Sequence, residues 1–95
     1  MYKGPEIYIA TAFTPDGNGL NDELKAFPVG IKEFRYFRIY NRWGQLVFQT
    51  SDPGKGWDGR FNGARQPTGT FIWMAEATGY NGQLLVRKGT STLIR

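Results

Sequence analysis

Phe34-Arg-Tyr-Phe-Arg-Ile-Tyr-Asn-Arg-Trp-Gly-Gln-Leu-Val-Phe48 is the stretch that decides the fold. Two runs of aromatic and β-branched residues flank Asn41-Arg42-Trp43-Gly44. Such residues favour strands, whereas asparagine opens a type I turn and glycine closes it at positive φ. A type I turn ended by a left-handed glycine is a common three-residue hairpin loop with a bulge. The stretch therefore predicts a β-hairpin with Tyr40 opposite Leu46 and Ile39 opposite Val47. Both faces then carry apolar side chains, which predicts a central hairpin covered on both sides.

Turn signals recur on either side. Ile7-Tyr-Ile-Ala10 reads as a first strand, with Pro5 marking an edge. Glu23 to Phe27 reads as a short strand or one helical turn, stopped by Pro28. Trp57-Asp-Gly-Arg-Phe-Asn-Gly63 reads as a short strand and turn, with Trp57 as its anchor. From Thr70 to Thr78, Phe71, Trp73 and Ala75 alternate against Ile72, Met74 and Glu76, which is strand periodicity. Tyr80-Asn-Gly82 carries the Asn-Gly hairpin signal. Gln83 to Lys88 is a strand, Gly89 a kink or bulge, and Thr90 to Ile94 the closing strand. About seven short strands with regular turn signals predict an all-β, Ig-like antiparallel β-sandwich.

The chain of 95 residues is the size of one domain, residues 1–95, with 1–5 read as linker or added residues. It has no cysteine, hence no disulfide framework or thiolate metal site. It has no histidine, which removes the usual base near neutral pH and the commonest zinc ligand. The scattered carboxylates pair with no nucleophile or base, so the reading is that the protein is not an enzyme. The net charge of +4 is spread along the chain, as on a solvated surface, and predicts no nucleic-acid partner. No apolar run is long enough to span a bilayer, so no membrane insertion is expected. Met1-Tyr-Lys-Gly-Pro5 lacks the apolar core of a signal peptide, which fits a cytosolic protein or a domain cut from a longer exported chain.

Three constellations stand out as possible sites. In Asp16-Gly-Asn-Gly-Leu-Asn-Asp22, side-chain oxygens of Asp16, Asn18 and Asp22 and the Leu20 carbonyl are spaced to surround a calcium ion, with Asp58 as a ligand from a second loop. A chain of Asx-turns with no metal explains the same residues. Trp43, Trp57 and Trp73 suggest a glycan platform or, more simply, packing anchors, with Trp43 the exposed one because it lies in a turn. Arg35, Arg38 and Arg42 lie among aromatics, as in cation–π packing. Lys88-Gly-Thr-Ser-Thr-Leu-Ile-Arg95 ends in apolar Leu93 and Ile94 followed by Arg95, a segment either tied down in the sandwich or read by a partner through sheet-edge pairing.

Five motifs occur in register: Phe13-Thr-Pro-Asp-Gly-Asn-Gly-Leu-Asn-Asp22, Tyr40-Asn41-Arg42-Trp43-Gly44 with Val47-Phe48, Gly56-Trp57-Asp58-Gly59, Pro67-Thr-Gly69, and Lys88-Gly89-Thr90 running to Leu93-Ile94-Arg95. Together they resemble the gliding-motility-associated C-terminal domain, the type B sorting domain of cargo for the type IX secretion system of Bacteroidota. The resemblance spans Ile7 to Arg95. It implies a non-enzymatic tag at the end of a parent cargo protein, often an adhesin. Such a tag passes through the periplasm and is directed by the type IX translocon and an outer-membrane partner protein to the cell surface or exterior. Lys88, Gly89, Thr90, Leu93, Ile94 and Arg95 are the expected partner-binding residues, and a surface adhesion or glycan-binding module is the alternative. The family loop usually reads Pro-Asn-Gly-Asp-Gly; here Pro15-Asp16-Gly17-Asn18-Gly19 exchanges acid and amide.

If the Asp16–Asp22 loop takes calcium, millimolar Ca²⁺ raises the melting temperature through linkage to the native state, and chelator reverses the rise. A melting curve indifferent to both removes the site.

Overall fold

Among the residues that the computed structural model describes, which are 4–15, 17 and 22–95, every regular element is a strand. In chain order these are β1 (Glu6–Ile9), β2 (Ala12–Phe13), β3 (Ala26–Val29), β4 (Ile31–Tyr40), β5 (Leu46–Thr50), β6 (Arg60–Phe61), β7 (Ala64–Arg65), β8 (Gly69–Gly79) and β9 (Leu84–Leu93). Nine strands rather than about seven result because β2, β6 and β7 are only two residues long. The main sheet has the order β2-β9-β8-β4-β5, with β2 parallel to β9 and the other neighbours antiparallel. Facing it is a discontinuous second layer: the β1–β3 pair, a bridge between Leu24 and Trp57, and the β6–β7 hairpin. The chain is all-β, and its architecture is consistent with an Ig-like sandwich.

The β4–β5 hairpin forms as expected at its loop. Gly44 donates its N–H to the Asn41 carbonyl at 2.9 Å, and Asn41 donates to the Gln45 carbonyl at 2.9 Å. Gly44 has φ 82°, the left-handed closure that the turn requires. The Asn41 side chain locks the loop, its Oδ1 accepting the N–H groups of Trp43 and Gln45. Below the loop the expected register fails. Tyr40 does face Leu46, but Ile39 faces Phe48, and Val47 is the extra residue of a bulge. The bulge turns both Val47 and Phe48 toward the core, where Phe48 meets the Phe37 ring edge-on at 6.4 Å. An unbulged strand would have aimed one of the two at solvent.

Nor is the hairpin central. β5 is an edge strand, and the second face of β4 is open to solvent. That face is kept compatible with water by an aromatic and charged network. The Arg38 guanidinium lies 4.0 Å over the Tyr36 ring, the Tyr36 hydroxyl donates to Glu76, and Arg35 pairs with Glu76 at 2.8 Å. Burial and the Glu76 carboxylate push the Tyr36 hydroxyl pKa up. The core lies on the opposite face, where Phe37 and Ile39 of β4 and Phe71, Ala75 and Ala77 of β8 meet Ile7 and Ala26 from the second layer. Glu6 clamps β1 onto β9 through Arg87 at 2.7 Å, and that guanidinium holds the Glu6 carboxyl below its usual range.

The ambiguous Glu23–Phe27 segment becomes a strand shifted toward Val29 that runs through Pro28. β3 is paired on one side only, the setting in which a strand proline is tolerated. The second hairpin uses the same three-residue loop as the first, with Gly82 donating to the Gly79 carbonyl and Gly79 to the Gln83 carbonyl. Gly89 makes no kink. β9 runs in unbroken register from Leu84 to Leu93, with Gly89 opposite Trp73. The indole of Trp73 fills the space that a side chain at 89 would take, so that an added Cβ would lie 2.8 Å from its Cζ2. The glycine is a seat for a ring and not a bend.

Gly89→Val should therefore displace Trp73 and destabilise the domain by about 1–3 kcal/mol, the usual cost of overpacking. Urea unfolding followed by tryptophan fluorescence measures it; an unchanged midpoint would show that the ring moves freely.

Candidate functional site

Four of the five motifs meet at one end of the sandwich, and Arg95 is where they meet. Its backbone N–H donates to Thr68 Oγ1 at 2.9 Å. Its guanidinium donates to three carbonyls: Gln66 at 2.7 Å, Gly59 at 3.0 Å and Pro15 at 3.4 Å. One side chain thus joins the loop after β2, the turn after Trp57 and the loop before β8. Burial, then Arg65 and Arg60, lower its pKa, while Asp58 opposes them. Gly59 is packed so closely that an added Cβ would lie 3.0 Å from Leu93 Cδ1 and 3.1 Å from both Arg95 Nη2 and Pro15 Cγ. Its carbonyl also accepts the Gln66 N–H at 2.8 Å.

Trp57 fixes this junction to the core. It is 2% exposed and packs its indole against Phe13 at 5.8 Å and Phe71 at 4.8 Å. Its Nε1–H donates to the Arg60 carbonyl at 2.7 Å. Asp58 Oδ1 accepts the Arg60 N–H, an Asx-turn that sets the bend. The anchoring role expected for Trp57 holds.

The fifth motif joins through a groove of about 210 Å³ between the Asn41–Trp43 loop and the segment from Gln66 to Phe71. Trp43 is 77% exposed, as its turn position predicts, with the Arg42 guanidinium 4.5 Å over its ring. Asn41 is buried and structural. Exposed Ile94 lies at the same end, its N–H donated to the Phe13 carbonyl at 3.0 Å.

The other expected partner-binding residues are placed differently. Leu93 is fully buried and belongs to the core. Gly89 lies under Trp73, while Lys88 and Thr90 are exposed farther along β9, opposite Met74 and Ile72. Of the calcium set, Asp16, Asn18 and Leu20 lie outside the described residues. Asp22 accepts the Gly17 N–H at 3.0 Å and borders a cleft with Asp58. Among the described residues no group of three or more histidines, cysteines or acids is placed to hold a metal. Sequence reasoning missed Arg60, Arg65 and Gln66; for the two arginines the Asn62-Gly63 dipeptide was the available signal, since it marks a tight hairpin that pairs its flanks.

A family model described as the CHU_C type IX secretion signal domain matches residues 7–91. The chain belongs to that family. No curated protein and no solved structure matches it. The CHU_C domain is a signal for type IX secretion, and here Arg95 joins residues of four of the motifs at one end of the sandwich. No helix among the described residues is long and apolar enough to cross a membrane.

Removing the Arg95 fork should loosen this end. Arg95→Ala should cost about 1–2 kcal/mol, because carbonyls that it satisfies lose a charged donor. Arg95→Lys should recover less than half of that, since a point ammonium cannot span three carbonyls as a planar fork does. Equal stability of all three proteins in urea would contradict the bridging role.

Proposed function

We propose that the end of the sandwich built around Arg95 and Trp43 is the surface through which a secretion partner recognises the domain, and that the domain thereby directs a cargo N-terminal to it out of the cell. The observation that carries this reading is the wiring of Arg95, which gathers separate motifs into one solvent-facing surface beside a nearly bare tryptophan. Exposed aromatics next to a structured polar rim are what partner proteins use as anchors. The partner is an outer-membrane protein working with the type IX translocon, and the domain is folded in the periplasm before it reaches the surface. It performs no chemistry in this scheme; it is bound. Calcium, where the Asp16–Asp22 loop takes it, would stiffen the border of the same surface.

Trp43 also supports a second reading, a surface module that binds glycan or protein, because an open indole beside Asn41, Gln66 and Thr68 offers stacking and hydrogen bonds together. A glycan array with wild type and Trp43→Ala separates the two, since a sorting tag leaves every glycan unbound.

Deleting β9 is a poor test of the sorting reading, because Leu93 belongs to the core. Point variants on the exposed surface are better. Trp43→Ala and Thr68→Ala combined, fused to a reporter, should cut surface delivery by about tenfold or more, as loss of a central anchor does. Circular dichroism should show the fold intact. Normal delivery of a folded double variant would sink the proposal.

A further inference from the structure

Arg60 and Arg65 stand directly opposite each other in the β6–β7 hairpin. The turn between them is Asn62-Gly63 with φ 53° and 79°, the left-handed pair of a rigid two-residue type I′ loop. Cross-strand partners share a face, so both guanidinium stems rise together. Like charges directly opposite in a ladder are destabilising. Neither arginine has an ion pair among the described residues. The hairpin is nonetheless held in place, with the Arg60 carbonyl bound by the Trp57 indole and the Gln66 N–H bound to Gly59.

Arg95 completes the set. Arg60, Arg65 and Arg95 border one cleft of about 270 Å³. A guanidinium has five N–H donors, and the side chain of Arg95 makes three hydrogen bonds, so donors remain. The proximity of the three cations is felt electrostatically, since Arg65 and Arg60 both lower the Arg95 pKa. Acids also border the cleft, each engaged in its own loop: Asp58 with the Arg60 N–H, Glu23 with Lys25 at 3.6 Å, and Asp22 with the Gly17 N–H.

We propose that Arg60, Arg65 and Arg95 form a binding site for a single carboxylate, presented by an acidic side chain of the secretion partner. The identity of the occupant rests on the reading of this end as the docking surface. A carboxylate is an anion that a protein partner carries on its own side chains, and its planar pair of oxygens matches the arginine fork.

The test is a titration of the ¹⁵N-labelled domain at fixed ionic strength with N-acetyl-triglutamate amide, N-acetyl-triglutamine amide and inorganic phosphate. Triglutamate should shift the Nε–H signals of all three arginines saturably, triglutamine should not, and phosphate should bind more weakly. Arg60→Gln with Arg65→Gln should weaken triglutamate binding by about tenfold, one lost charged contact or more, without lowering the melting temperature. Absence of saturation, an equal response to triglutamine, tighter binding of phosphate, or unchanged affinity of the double variant overturns the site. The same variant is then fused to the reporter. Lost delivery with an intact fold supports the proposal. Normal delivery despite lost binding overturns a carboxylate partner while leaving the Trp43 surface as the docking face.

Discussion

The indole of Trp57 is the constraint on which the rest depends. Its ring is held between Phe13 and Phe71, so it spans from the first strand of the main sheet to the fourth motif's own strand. Its backbone exchanges hydrogen bonds with Leu24 at 2.9 and 3.0 Å, stitching the middle of the second layer. Its Nε1–H reaches the Arg60 carbonyl and fixes the start of the β6–β7 hairpin. The buried Trp57 N–H finds its partner in the Arg60 carbonyl, and that bond fixes the position of a loop. Packing and polar satisfaction therefore act on the same residue, which is why a small domain without disulfides holds a long irregular stretch in place.

The surface at the Arg95 end follows from that anchor. Once Trp57 is seated, Gly59 lies against Leu93 and Pro15 with no room for a side chain, and its carbonyl turns toward Arg95. The loops need no regular pairing of their own, because one guanidinium supplies donors to three of them. At the other end of the main sheet the β8–β9 loop closes on its own backbone and ties to one other segment, the Tyr80 N–H donating to the Gly30 carbonyl at 3.2 Å, with Tyr80 73% exposed. The three-carbonyl fork of Arg95 is what sets the two ends apart.

Much of this was legible in the residues. Asn41 and Gly44 specify a loop type by local chemistry, and the loop formed as their φ preferences require. Alternation in β8 put Phe71 and Ala75 on one face of a strand, and both are buried. What failed depended on partners distant in sequence. The bulge at Val47 arises because Phe48 has a place against Phe37, which hairpin pairing alone does not reveal. Gly89 carries the same residue type whether the chain bends or a ring needs space, and only the cross-strand position of Trp73 decides between them. The exposure of the outer face of β4 was hidden because Tyr36 and Tyr40 count as apolar in a pattern yet sit comfortably at a wet surface. The role of Arg95 was half visible: a tied end was one of two readings, but its carbonyl partners lie in three separate loops.

β9 and the residues just after it are joined to the early part of the chain at three points: Arg87 binds Glu6, the Ser91 hydroxyl binds the Ala10 carbonyl, and Arg95 reaches Pro15. Each contact spans 80 or 81 positions. Closing so large a ring has an entropic cost that is recovered only when both ends are present. Phe13 takes its place in the main sheet beside Leu93 of β9, so this early strand reaches its native surroundings together with the strand farthest from it in sequence.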